Sequence, residues 1–329
     1  MRGLRKRDPF AEPHQNLTRL LITAAALLIL VTITSFLGSW WWLFDLAAHF
    51  RIQLATASFV VLVAALILRS CIPIGMGVVA LLANLVPLAS YWPSVGRAYG
   101  ALEPDLRVMT LNLHGSETNP ESFGALVNAE DPDIILLTEL PEDRHRFLAP
   151  VGIRYPYIID SFRGSPFDTV LLSRWKPEAW SVDRSVAPFL PVLTAQLCSQ
   201  RDERRCLTIV GLHAARPFGN GARLQQAQLR LASDAVKAAS KKNVVVMGDL
   251  NLTPWSATFR GFTQDAGLSA HPHQRGLETT WLSRFPLFGL AIDHVLTSPD
   301  IQLIESEIGG DVGSDHWPVI ATITLDPQP

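Results

Sequence analysis

Three apolar stretches fill most of the first 98 residues: 17–37, 52–68 and 72–92. The first is about long enough to cross a ~30 Å hydrocarbon layer as a helix. Residues 1–98 therefore read as a membrane anchor, with transmembrane helices near 17–37, 52–69 and 72–92. Pro73 and Gly75 separate the second stretch from the third. Trp40, Trp41 and Trp42 follow the first, and Tyr91 and Trp92 close the third, which suits aromatic anchors at headgroup level. A cleaved signal peptide is the alternative for the first stretch, but its apolar length exceeds the usual ~7–15 residues. A re-entrant segment is the alternative for the third, because Asn84 and Pro87 interrupt it.

Charge separates this part from the rest. Residues 1–98 carry eight basic residues (Arg2, Arg5, Lys6, Arg7, Arg19, Arg51, Arg69, Arg97) and three acidic ones (Asp8, Glu12, Asp45), a net of +5. The remainder has 20 basic and 27 acidic residues, a net of −7. Only 18% of the chain is charged and 48% is hydrophobic, against about 25% charged in soluble domains. That excludes disorder and argues against an ordinary cytosolic enzyme. The basic cluster before the first stretch keeps the N-terminus in the cytoplasm by the positive-inside tendency. Three spans then place residues after about 98 outside; two would place them inside. The expectation is an integral protein of a bacterial inner (cell) membrane with an extracytoplasmic domain.

Residues 99–329 form a separate domain. Short β-type runs (106–113, 134–138, 168–173, 192–198, 206–212, 244–247, 295–297, 319–324) alternate with helical stretches at 121–129 and 223–240. The second helix has Leu224, Ala227, Leu231, Ala235 and Ala238 on one face. Mixed order of this kind implies an α/β domain of packed layers.

Polar residues sit where the apolar runs end or begin: Asn112, Glu139, His213, Asp249 with Asn251, Asp293 with His294, and Asp315 with His316. Singly, a strand-end Asn or Asp is usually a turn former; six such events in order point to one converging site. Glu139 and Asp315 offer hard oxygen ligands for Mg²⁺ or Mn²⁺, and Asn112 a neutral one. Asp249 can orient or deprotonate an attacking water. Asn251 and His213 can donate to phosphate oxygens. His316, paired with Asp293, stays cationic to higher pH. A metal and an imidazolium together suit a phosphoryl transition state.

The segments Thr110-Leu111-Asn112, Leu137-Thr138-Glu139, Leu212-His213, Gly248-Asp249-Leu250-Asn251, Ile292-Asp293-His294 and Ser314-Asp315-His316 resemble the endonuclease/exonuclease/phosphatase superfamily over about 105–325. The resemblance implies a four-layer α/β sandwich and divalent-metal phosphoester hydrolysis. It implies Asn112, Glu139 and Asp315 near the metal, Asp249 and Asn251 handling water and phosphate, and Asp293 supporting His316. The stretch Arg223–Leu229 also looks like the family's. There are departures. His114 stands where many of the nucleases have an acid. Asp168 opens a strand that small residues often open, and reads as a turn cap rather than a site residue. Trp281 is either near the substrate or core filling.

The substrate is left open as a nucleic acid, a phospholipid headgroup or a small phosphodiester. The acidic domain argues against tight duplex binding. Arg201, Arg204 and Arg205 lie in a hairpin loop and read as a solvated turn. The segment from Phe285 to Leu290 either meets lipid or packs in the core. The lipid bilayer is the expected partner of the N-terminal helices, and no protein partner is expected. An inactive binding domain and a membrane scaffold are the alternatives; the complete set of site residues and the low polar content of the spans argue against them. No cysteine pair is spaced for zinc. Cys198 and Cys206 flank a polar hairpin loop, so an exported domain should bridge them, leaving Cys71 free.

Overall fold

The computed structural model describes residues 11–89, 91, 106–115, 117–202, 205–239, 242–270 and 278–325. Arg2, Arg5, Lys6, Arg7, Trp92, Arg97 and Arg204 lie outside the described residues. The chain divides into two compact units, Met1–Ser90 and Tyr91–Pro329.

The first unit is helical: α1 (Ala11–Ser35), α2 (Trp42–His49), α3 (Arg51–Ile67) and α4 (Cys71–Ala89). His14–Ser35 and Cys71–Ala89 are each long and apolar enough to cross a membrane. The α2–α3 pair bends by 64° and makes a third span only if it is taken as one. Pro73 and Gly75 do not separate two spans; both lie in the first turns of α4, and the break falls at Leu68–Ser70, where Arg69 is left-handed (φ +50°). A proline is tolerated there because the first N–H groups of a helix have no partner within it. Nor does Asn84 interrupt α4. Its buried amide N–H groups donate to Thr32 Oγ1 (2.8 Å) and Ala80 O (2.9 Å), so the helix runs on through Asn84 and the side chain ties α4 to α1. Gly77 lets α3 approach: a Cβ there would stand 3.1 Å from Leu62 Cβ.

The second unit is a sandwich of two six-stranded sheets. In chain order its elements are β1 (Leu106–Asn112), α5 (Pro120–Glu130), β2 (Ile134–Thr138), α6 (His145–Leu148), β3 (Tyr157–Asp160), β4 (Thr169–Ser173), β5 (Lys176–Asp183), β6 (Val192–Cys198), β7 (Cys206–Leu212), α7 (Asn220–Ala238), β8 (Val244–Asp249), α8 (Ala257–Ala266), β9 (Ser269–Ala270), β10 (Asp293–Thr297), β11 (Gln302–Ile308) and β12 (Val319–Thr324). One sheet runs β11-β12-β1-β2-β4-β3 and the other β5-β6-β7-β8-β10-β9.

Strand alternation explains the layers. In β1, Val108 faces the second sheet, joining Ile134, Leu171, Ile209, Val245 and Met247 in the central core. Its neighbours Met109 and Leu111 face the other way, onto Phe123 and Val127 of α5 and Phe147 of α6. Across the sandwich, Val210, Val246 and Leu296 meet Leu229, Val236 and Phe259 of α7 and α8. Because both faces are buried, the central strands are apolar at nearly every position. The result is the expected four layers.

Two local signals set helix starts. Asn119 caps α5, accepting from the Glu121 and Ser122 N–H groups (2.8 and 3.0 Å), with Pro120 in the first turn. Ser256 caps α8 through the Phe259 N–H (3.1 Å). The buried face of α7 differs from the expected one. Ala222, Gln225, Gln228, Leu229, Ala232 and Val236 turn inward, so Leu224, Ala227, Leu231 and Ala235 of the expected stripe form its partly buried flank and Ala238 is exposed.

Cys198 and Cys206 are paired across β6 and β7 with Cα atoms 4.1 Å apart, and their sulfurs are bonded; Cys71 is free and exposed. Closing a loop this short constrains the unfolded chain by about 2 to 3 kcal/mol. Protein alkylated before reduction should therefore show Cys71 as the modified cysteine by mass spectrometry, with 198 and 206 linked. Alkylation at 198 and 206 in protein purified without reductant would contradict the bridge.

Candidate active site

The site lies where the central strands of both sheets end. Asn112 closes β1 opposite Thr138 of β2, and Glu139 follows immediately. Asp249 closes β8 and pairs in register with Asp293, the first residue of β10, which sets two buried carboxylates side by side. Gly248 makes the turn into Asp249 possible: its φ is +137°, and a Cβ would stand 1.9 Å from Leu212 O. Left-handed backbone recurs at His114 (φ +48°), Glu139 (φ +49°) and Asn251 (φ +52°). Such conformations persist only where the surroundings over-determine them.

Side chains converge tightly. Asn112 donates to Glu139 Oε1 and Asp249 Oδ2, both at 3.1 Å, while its Oδ1 accepts from the His114 N–H (2.9 Å). His213 Nε2 is 3.4 Å from Asp249 Oδ2 and 3.7 Å from Glu139 Oε1. Its Nδ1 is held by Pro166 O at 3.1 Å. His316 Nδ1 meets Asp293 Oδ2 at 2.8 Å, and its Nε2 faces Asp249 Oδ2 and Asp315 Oδ1, both 3.9 Å away.

The electrostatics follow from burial. Burial first, then the Asp293 charge, raises the pKa of Asp249 above its usual range, against His213, His316 and the Asn251 N–H. Burial alone would lower the His316 pKa. The carboxylates of Asp293, Asp249 and Asp315 outweigh it and push it up to about 9, so the ring is cationic at neutral pH.

Glu139, Asp249, Asp293 and Asp315 form ion pairs with imidazoles alone among the described residues. Asp293 Oδ1 is buried with no hydrogen-bond partner among the described residues. Glu139, His213 and Asp249 offer ligand atoms within 4.8 Å of one another, as do Asp249, Asp293 and His316. An oxygen-rich, under-compensated set of this kind fits a divalent cation of the Mg²⁺ or Mn²⁺ type. His114 Nδ1 lies between Asp315 Oδ1 (3.1 Å) and Glu139 Oε2 (3.8 Å), which marks the gap where positive charge is favoured.

The remaining sequence-derived residues divide. Asn251 stands beside the cluster, but its amide donates to Ala214 O (2.9 Å), and its N–H to Asp249 Oδ1 (2.8 Å); it fixes the loop after β7. His294 is drawn away from the site, against Phe259 and donating to Leu252 O at 2.7 Å. Asp168 caps a turn, accepting from the Arg163 and Ser165 N–H groups and pairing with Arg184. Trp281 is at the site, its indole donating to Asp315 Oδ2 at 3.0 Å.

Two residues had no sequence-derived role. Gln228 accepts from Ala215 N and donates to His213 O (3.0 Å), and Gln225 donates to Leu250 O (3.0 Å). From one face of α7 they clamp the backbone that carries His213 and Asp249. Their three-residue spacing was the available signal, masked by the apolar stripe beside it.

The layered fold with an acid–imidazole cluster at its strand ends is a phosphoester-hydrolase scaffold. The chain belongs to the Endonuclease/Exonuclease/phosphatase family, whose profile matches residues 109–316. No curated protein matches it. Among solved structures it is similar to an endonuclease/exonuclease/phosphatase from Beutenbergia cavernae, at 19% identity and TM-score 0.57, covering 68% of this chain and 72% of that one. It is also similar to D. rerio TDP2 complexed with single-strand DNA product (19%, TM-score 0.55, 67% and 99% covered). The human Nocturnin catalytic domain with bound sulfate is a third (16%, TM-score 0.53, 68% and 94%). At these identities the likeness establishes the fold.

His294 gives a pH prediction. Burial lowers its pKa from 6.5 to about 4, against the Leu252 carbonyl and Asp293. Its folded pKa lies below its unfolded one, so the unfolded chain takes up a proton first as pH falls. Stability should drop between pH 6.5 and 4 by up to about 3 kcal/mol from this group, and this contribution levels off below 4. Thermal unfolding of wild type and His294→Gln in detergent should show a shallower loss across that window in the variant. Equal slopes would contradict it.

Proposed function

We propose that this protein is a membrane-anchored, divalent-metal-dependent phosphoester hydrolase. The reading rests on the group of four carboxylates, Glu139, Asp249, Asp293 and Asp315, whose ion-pair partners among the described residues are imidazoles. Glu139 and Asp315 are the residues that would hold Mg²⁺ or Mn²⁺, with Asn112 aligning Glu139 toward Asp249. When bound, the ion supplies Lewis-acid polarisation of a phosphoryl oxygen. Asp249, its basicity raised by burial, accepts the proton of the attacking water. His316, kept protonated by Asp293, donates from Nε2 to a phosphoryl oxygen as charge builds there. His213 points its Nε2 into the same space, and Asn251 keeps the adjoining loop in place. An inactive binding domain is disfavoured because every one of these groups is present and buried or half-buried.

Replacing Asp249, Glu139 or His316 with Ala should lower phosphodiester turnover at least about a hundredfold. EDTA should abolish it and Mg²⁺ or Mn²⁺ restore it. Undiminished turnover in all three variants would contradict the assignment.

The anchor rests on α1 and α4, with the α2–α3 pair as a third span. That arrangement, with the basic cluster at residues 2–7 held inside, exports the C-terminal domain. A phosphatase reporter that works only outside the cytoplasm, fused after Pro329, should be active. A silent exported reporter, with a cytoplasm-only reporter active at the same point, would show that the bent pair does not cross.

A further inference from the structure

Two segments with exposed apolar side chains are tied to site residues. In the first, the chain from Trp281 to Leu290 doubles back on itself: the Trp281 N–H donates to Leu290 O at 2.9 Å, and Trp281 is bridged to His316 as well. The base of this loop is tied to the catalytic segment. The Ser283 N–H donates to Asp315 O (2.9 Å), Ser283 Oγ to Ser314 O (2.9 Å) and Trp281 Nε1 to Asp315 Oδ2 (3.0 Å). Its tip is a short 3₁₀ turn, Pro286–Phe288. There Phe285, Leu287 and Phe288 are 62%, 62% and 63% exposed. In the second, Phe167 stacks on His213 at 4.7 Å and carries Phe189 against it at 6.1 Å; Phe189 is 45% exposed. Phe218, also exposed, stands five residues beyond His213 on the next loop.

Apolar side chains in water at this density mark a contact surface. We propose that the Phe285–Phe288 tip and Phe189 form a bilayer-docking rim, which sets the catalytic site at headgroup level and directs it to phosphoesters carried by lipids. The proposal deepens the hydrolase reading above and rests on it for the chemistry.

Four observations select the bilayer as occupant. First, the chain carries its own membrane-competent helices, and only sixteen residues separate Ala89 from Leu106. Fully extended they reach at most about 60 Å, so the domain stays within reach of whatever bilayer holds α4. Second, three N–H groups of the tip pair within it, Phe285 N–H to Leu282 O, Phe288 N–H to Phe285 O and Gly289 N–H to Pro286 O, at 2.8, 2.9 and 3.1 Å, and Pro286 has no N–H. Each N–H paired internally lowers the cost of bringing such a segment into an apolar layer. Third, Arg284 adjoins the apolar tip, exposed and 3.6 Å from Glu117; a long cationic stem beside aromatic and leucine side chains is the composition of interfacial segments. Fourth, aromatic side chains also stack on nucleic-acid bases, but such surfaces combine them with a basic groove, and residues 99–329 carry a net charge of −7.

The test uses the full chain reconstituted into phosphatidylcholine/phosphatidylglycerol vesicles, with Cys71→Ser as background. Nitroxide labels are placed singly at Phe288→Cys, Phe189→Cys and Ile153→Cys. Ile153 is 98% exposed and apolar, but it sits at the far end of the first sheet, beside the Arg154–Asp131 pair that precedes β2. Collisions with apolar O₂ and with a polar nickel chelate report depth. The labels at 288 and 189 should collide with O₂ several-fold more, relative to nickel, than the label at 153. If either reads like 153, the docking rim is overturned. If instead both stay nickel-accessible and become immobilised on adding a single-stranded oligonucleotide in EDTA, the rim is a base-stacking surface and the proposal fails in that direction. The readout needs no turnover, so Asp249→Ala must leave the depths unchanged. Loss of the hydrolase reading and loss of the docking rim are thereby separate results.

Discussion

Four carboxylates meet at the strand ends of the sandwich, and among the described residues their ion-pair partners are imidazoles. Charges this close and this buried are costly unless they are neutralised or shared. The structure responds in three ways. It raises the pKa of Asp249, it holds His316 protonated against Asp293, and it brings the ligand atoms of Glu139, His213 and Asp249 within 4.8 Å of one another. Each response is also what phosphoester hydrolysis asks of a site: a base, an imidazolium and a place for a hard cation.

Holding that arrangement is the task of the surrounding fold. The register of β8 against β10 fixes the Asp249–Asp293 pair, and Gly248 provides a backbone path that a Cβ would block. Gln225 and Gln228 on α7 secure the segments after β7 and β8 by their carbonyls. The Ser314 hydroxyl donates to Asn112 O and receives the His316 N–H, linking β1 to the loop before β12. The left-handed residues at 114, 139 and 251 cluster where these ties are densest, in keeping with strain concentrated at functional sites.

The central strands, and the candidate residues that the structure gathers at their ends, were legible in the sequence for one reason. Strands buried on both faces are unbroken apolar runs, and a polar residue at the end of such a run stands out. The strands that escaped notice, β3, β5, β9 and β11, are the four sheet edges. Edge strands carry polar and charged side chains that discourage edge-to-edge pairing; β5 reads Lys-Pro-Glu-Ala-Trp-Ser-Val-Asp and is exposed along most of its length. Helix α2 was hidden because its tryptophan start reads as an interface anchor. Partnerships were the other illegible part. That Asn251 serves Ala214, that His294 turns toward Phe259, and that His114 bridges Asp315 and Glu139 depends on loop geometry. Spacing along the chain does not encode it.

A carboxylate cluster built around a divalent cation binds that cation with no substrate present, so metal binding can be measured directly. Purified full-length protein, stripped with EDTA and dialysed, is titrated with Mn²⁺ while free Mn²⁺ is followed by electron paramagnetic resonance. The expected result is saturable binding that competes with Mg²⁺ and is lost in Glu139→Gln and Asp315→Asn, but retained in His294→Gln, whose ring packs against Phe259. Binding that is absent in the wild type, or unchanged in both carboxylate variants, would contradict it.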